Sequence, residues 1–130
     1  MEKDINILVI DDEESFTFFI KLNLETETSR NFKVTTANSG KEGLKLARTI
    51  KPDLILLDIM MPEMSGQEVA EELLMDSRTK NIPIIFLTAV VQKEEVAREA
   101  GLIGGREFIA KPVGKEELIG RIAATLNLPR

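Results

Sequence analysis

The chain has 130 residues, 43% apolar and 30% charged, which suits one domain with a single core and leaves no room for two. It holds no cysteine and no histidine, which excludes disulfides, zinc–thiolate sites, thiol nucleophiles, Ser-His and Cys-His pairs, His-ligated metals and a phosphohistidine of its own. The net charge of −5 argues against direct nucleic-acid binding, and no apolar run approaches the roughly 20 residues that cross a bilayer.

The opening MEKDINILVI does not read as a signal peptide, so a cytoplasmic setting is expected. Its apolar run Ile5–Ile10 predicts a first strand, and a helical pattern follows from about Glu13 to Thr28. At about 100° per residue, Phe16, Phe19, Ile20 and Asn23 share the inward side of that helix, with Phe18 and Leu22 one turn apart on another. The second pair reads either as part of a wide buried stripe or as an exposed apolar pair for docking a partner helix. Phe32–Ala37 predicts the second strand, and Ser39-Gly-Lys-Glu42 has capping-box spacing at the start of the second helix. Leu54–Leu57 follows a Pro52-Asp53 turn as the third strand, with a helix near Gly66–Met75. Ile84–Leu87 is the fourth, then a helix over Gln92–Ala100, a fifth strand at Glu107–Ala110 and a last helix near Lys115–Leu126.

Continuous apolar runs suit strands buried on both faces, and a β-α repeat five times over predicts one α/β domain over 1–130. In a parallel sheet the residues just past the strand ends gather on one rim. Asp11-Asp12 end the first run, Asp58 the third, Thr88 the fourth and Lys111-Pro112 the fifth, whereas the second ends blandly at Ala37-Asn38. Bringing the three aspartates, Thr88 and Lys111 together demands a doubly wound (βα)5 parallel five-stranded sheet in strand order 2-1-3-4-5, the flavodoxin-like order. Three clustered carboxylates repel by roughly 4 kcal/mol per pair at 4 Å and an effective dielectric near 20, so they protonate or hold a cation. An all-oxygen cluster that works on phosphate selects Mg²⁺, and Lys111 and Thr88 add an ammonium and a hydroxyl for an incoming phosphoryl group.

These residues resemble the receiver domains of two-component response regulators, such as the chemotaxis regulators. The resemblance covers essentially the whole chain and rests on VIDDEE, LLDIMMPEMSG, LTA and FIAKP, in order at the ends of alternate strands. It implies that Asp58 is the phospho-acceptor, that Asp12 and Asp58 ligate Mg²⁺ directly, and that Asp11 does so through water. The Met60 carbonyl is then a third protein ligand. Thr88 takes the place of the switch hydroxyl, the Ala89 amide donates to the phosphoryl group, Lys111 binds it, and Pro112 follows a cis peptide. Phe108 stands where the switch aromatic does. The implied partner is a histidine kinase or phosphotransfer protein, and the implied catalysis is confined to the domain's own phosphorylation and dephosphorylation.

Each residue also has a plainer reading. Asp11 and Asp12 suit helix caps, Asp58 a turn before Pro62, Thr88 a cap for the next helix, Lys111 a solvated surface and Phe108 an ordinary core position. A Mg²⁺-dependent phosphohydrolase also uses a strand-end aspartate, but usually wants an acid-base Asp two residues later, where Met60 stands. Met60 and Val90 occupy the positions that flank the hydrolytic water in the family; both are apolar, which predicts slow self-dephosphorylation. One departure from the pattern is the stretch AGLIGGREF, with one residue more than expected between Thr88 and Lys111. It predicts an early end to the fourth helix or a bulged loop after it. The resemblance allows a homodimer through the helix 4–strand 5–helix 5 face, but a dimer geometry does not carry over from the family here. The chain reads equally as a stand-alone protein or as a piece of a longer regulator or hybrid kinase.

Overall fold

The computed structural model describes residues 3–98, 101–103 and 106–129. The elements are β1 (Ile5–Ile10), α1 (Glu14–Glu25), β2 (Phe32–Ala37), α2 (Gly40–Ile50), β3 (Leu54–Leu57) and α3 (Gly66–Met75). They continue as β4 (Ile84–Thr88), α4 (Lys93–Arg98), β5 (Leu102–Ile103), β6 (Arg106–Ala110) and α5 (Lys115–Thr125). Five strands pair in parallel in the spatial order β2-β1-β3-β4-β6, so the expected order 2-1-3-4-5 holds with β6 as its fifth strand.

Both faces of the sheet are covered, which is why its strands read as continuous apolar runs. Ile7, Val9, Leu54, Leu56, Ile85, Leu87 and Ile109 pack with Ile20 and Leu24 of α1 and with Leu118 and Ile122 of α5. Leu8, Ile10, Ile55, Leu57, Phe86 and Phe108 pack on the other face with Leu44 and Ala47 of α2, Val69, Ala70 and Leu73 of α3, and Val96 of α4. Each fully buried Leu or Ile contributes roughly 1.5–3 kcal/mol, enough in sum to fix strand register.

Two local expectations shift. Ser39 Oγ does accept from the Glu42 N–H, but the Glu42 carboxylate accepts from the Asn38 N–H instead of closing a box on Ser39. The complete capping box lies at α3, between Ser65 and Glu68. In α1 the buried side chains are Thr17, Ile20 and Leu24, whereas Phe19, expected inward, is 45% exposed. Phe18 and Leu22 are 64% and 51% exposed, so the apolar pair does face outward.

The AGLIGGREF stretch folds partly into a hairpin arm. β5 adds to the outer edge of β6 in antiparallel register, with Leu102 opposite Glu107 and Ile103 opposite Arg106. Gly101 supplies a left-handed φ of 83° at its start, and its carbonyl accepts from the Phe108 N–H at 2.8 Å. The expected end of the fourth helix at Ala100 lies outside the described residues. Among the described residues no helix is long and apolar enough to cross a membrane.

Candidate functional site

Backbone pairing at the carboxyl ends of the strands assembles the acidic rim. The Asp58 N–H donates to the Ile10 carbonyl and the Asp11 N–H to the Ala37 carbonyl, each at 3.0 Å. The Lys111 N–H donates to the Thr88 carbonyl at 3.0 Å, which brings the far side of the sheet to the same rim. Behind Asp58, α3 approaches so closely that a Cβ on Gly66 would lie 2.0 Å from the Asp58 carbonyl oxygen. Only glycine fits there, and the Gly66 N–H donates to the Ile59 carbonyl at 2.9 Å to close the loop.

One carboxylate oxygen from each of Asp11, Asp12 and Asp58 lies within 4.8 Å of the other two. Asp11 and Asp58 are buried and Asp12 is exposed. Lys111 Nζ sits 2.7 Å from Asp11 Oδ2, 3.7 Å from Asp58 Oδ2 and 3.9 Å from Glu13 Oε1. Its side chain is 13% exposed, so it is not the solvated surface lysine of the plainer reading. Asp11 does two jobs: Oδ2 accepts from Lys111 while Oδ1 accepts from the Glu13 N–H at 3.0 Å, capping the entry to α1. Burial pushes the Asp11 carboxyl above the usual aspartate value, opposed by the Lys111 and Glu13 hydrogen bonds. Three carboxylates against one ammonium leave two negative charges uncompensated, and every donor is a hard oxygen. That set fits a hard divalent cation.

Thr88 is fully buried, and its Oγ1 accepts a long 3.4 Å contact from the Val90 N–H. It does not cap α4, which begins only at Lys93. Ala89, Met60 and Val90 are exposed around the rim. Phe108 is buried, its ring stacked on Phe86 with centroids 5.0 Å apart. The Lys111-Pro112 peptide is cis, as expected.

Two contributors escaped the sequence reading. Asn38, at the strand end taken as bland, donates through Nδ2 to the Asp11 carbonyl at 2.8 Å and to Thr17 Oγ1 at 3.2 Å. Phe16 places its ring 4.0 Å from Lys111 Nζ. Only the polar strand-end position of Asn38 hinted at the first; helical periodicity put Phe16 on the inward side but gave no sign that it meets Lys111.

The family model described as response regulator receiver domain matches residues 7–123. The chain belongs to that family. The receiver is 40% identical over 122 residues to the alkaline phosphatase synthesis transcriptional regulatory protein PhoP of Bacillus subtilis, covering 93% of this chain and 48% of that protein. It is 38% identical over 125 residues to hybrid signal transduction histidine kinase D of Dictyostelium discoideum, covering 95% of this chain and 8% of that one. Among solved structures, the chemotaxis protein CheY4 of Vibrio cholerae superimposes with a TM-score of 0.78 at 27% identity, over 94% of this chain and 98% of that chain. The receiver domain of the Francisella response regulator 1452 does so with a TM-score of 0.74 at 30% identity, over 94% and 96%. The receiver spans about half the length of the curated transcriptional regulators it matches.

Proposed function

We propose that this receiver accepts a phosphoryl group on Asp58 from the phosphohistidine of a partner histidine kinase or phosphotransfer protein. The observation that carries the reading is the Lys111 ammonium held between Asp11 and Asp58 on the rim. An Asp58 carboxylate oxygen attacks phosphorus, the partner's P–N bond breaks, and its imidazole leaves with the electron pair. Lys111 donates to a phosphoryl oxygen, and Thr88 and the Ala89 amide donate to the others. Asp11, Asp12, Asp58 and the Met60 carbonyl would hold Mg²⁺, which when bound neutralises charge on the transferring group.

The readout is a shift between two packings. Phe108 already stacks inward on Phe86, so phosphorylation raises the population of one arrangement of Thr88 and Phe108 rather than building a new one. A swing from mostly off to mostly on takes about 5.5 kcal/mol, within reach of several charge-assisted bonds. The setting is cytoplasmic, the whole of 1–130 acts as one receiver, and no other substrate is turned over. With a net charge of −5, the domain makes no nucleic-acid contact of its own. The β5 arm stands on the α4–β6–α5 face, so a dimer there takes its own geometry.

Intact-mass measurement after acetyl phosphate and Mg²⁺ tests the core of this reading. The parent is expected to gain one phosphoryl group and Asp58→Asn none; equal labelling of both would move the acceptor elsewhere. With exposed, apolar Met60 and Val90 beside the rim, the phosphorylated form is expected to outlast minutes, and a lifetime of seconds rules that part out. The exposed pair Phe18 and Leu22 supports docking of a partner helix through α1. Phe18→Ser is expected to lose phosphotransfer from the partner while keeping acetyl phosphate labelling; unchanged transfer defeats the docking role.

A further inference from the structure

Lys111 has to stay beside Asp58 to meet an incoming phosphoryl oxygen, and carboxylates alone do not secure that. Its ammonium is nearer to Asp11 than to Asp58, and the half-free Glu13 carboxylate at 3.9 Å offers a way outward. A long flexible stem pays little to swing between such partners. Something must close the remaining side of the ammonium.

That side is covered by an aromatic face. Phe16 lies in the first turn of α1, and its ring centroid is 4.0 Å from Lys111 Nζ, well inside cation–π range. The Phe16 ring is itself propped, with the Phe19 ring 6.3 Å away at a 33° tilt. The Phe16 N–H donates to the Glu13 carbonyl at 3.1 Å, which ties the ring's backbone to the residue that Asp11 caps. The Asp11 carboxylate that pairs with Lys111 thus also anchors the backbone that carries the ring.

We infer that Phe16 is a positioning residue for Lys111, its ring face holding the ammonium toward Asp58. A ring is suited to this in a way that a fourth carboxylate is not. It attracts the cation through its quadrupole yet adds no net charge to repel the phosphoryl group. It also displaces water from the ammonium, strengthening the bonds that remain to the two aspartates. The contact exists whatever the acceptor; its effect on rate rests on Asp58 being the acceptor.

The experiment uses the full chain as parent, Phe16→Leu, Phe16→Met and Phe16→Trp. Two readouts are taken, with folding followed by thermal melting. The first is the NMR shift of the Lys111 ε-methylene protons without phosphodonor: the ring should move them upfield in the parent and in Phe16→Trp, and both aliphatic variants should lose that displacement. The second is the rate of acetyl phosphate labelling with Mg²⁺, where the aliphatic variants should fall roughly three- to tenfold and Phe16→Trp should be restored. Parental labelling rates in a folded aliphatic variant would overturn the inference, as would equal slowing in Leu, Met and Trp, which marks ring shape rather than its face. An upfield shift that persists without the ring refutes the contact itself. A parent that never labels while the shift behaves as expected refutes the acceptor reading instead.

Discussion

The stretch from β1 to α3 and the stretch from α4 to β6 are built to different tolerances. In the first, backbone meets backbone with nothing between: Asp58 is paired to β1, and α3 starts where only a glycine clears the Asp58 carbonyl. Ser65 and Glu68 close both halves of a capping box on that helix. Among the described residues of the second, α4 covers Lys93–Arg98 with Val96 as its buried anchor, and β5 covers Leu102–Ile103 on the sheet edge. The acids proposed to do the chemistry sit on the close-packed side, and the face proposed to signal sits on the loose one. That division matches what a switch requires, since elements that move are drawn from the least stable parts of a fold.

Substitutions can break or sharpen this contrast. The largest effect is expected at Gly66→Ala, where the new methyl meets backbone that cannot step aside. Overpacking there should cost about 3 kcal/mol or more in urea unfolding and reduce labelling of Asp58 as the loop shifts. A loss under about 1 kcal/mol would mean that the close-packed side yields as easily as the loose one.

Lys111→Met comes next. It leaves buried Asp11 and Asp58 with no ammonium, so without divalent cation it should lose roughly 2–3 kcal/mol, less than a deep pair because the site reaches the rim. Mg²⁺ should recover part of that loss in a melting experiment, because a cation bound to the folded form alone stabilises it. The Asp11 carboxyl, raised by burial, holds its proton in the folded chain at pH values where the unfolded chain has released it. Its contribution to stability therefore declines as pH rises through that interval, and Asp11→Asn should flatten the slope in cation-free melts. On the loose side, Val96→Ala should cost only about 1 kcal/mol globally but speed amide exchange in α4 well beyond that in α3. Equal exchange in the two helices would erase the contrast.

What the sequence revealed follows the same division. β3 and α3 fall where the apolar run and the turn residues placed them, and the rim residues followed from strand ends alone, because a parallel sheet leaves them nowhere else to go. The expected inward face of α1 holds at Ile20, which is buried, and fails at Phe19, because the apolar pattern passes over Thr17. Thr17 is buried there for polar reasons, its hydroxyl donating to the Glu14 carbonyl and accepting from Asn38. That link ties α1 to the Asp11 carbonyl and turns Phe19 outward. The β5 arm was legible only as a departure from pattern. Yet Leu102-Ile103 and Arg106-Glu107 flank two glycines, a hairpin signal that the family spacing masked.

The smallest expected effect tests the contrast most finely, because it repeats the Gly66 substitution at the opposite kind of site. Gly120 lies inside α5, and a Cβ built on it meets nothing within 4 Å. Glycine in a helix interior costs roughly 0.5–1 kcal/mol relative to alanine, through the freedom it keeps in the unfolded chain. Gly120→Ala should therefore stabilise by about that amount. One methyl thus carries opposite signs at two glycines of the same fold, decided by whether backbone or solvent stands opposite. Because α5 packs on β6 and α1 without touching the acids, acetyl phosphate labelling should be unchanged while the urea midpoint rises. A midpoint that rises together with a slower labelling rate would show that stiffening α5 reaches the rim, and the last helix would then have to be counted with the close-packed side.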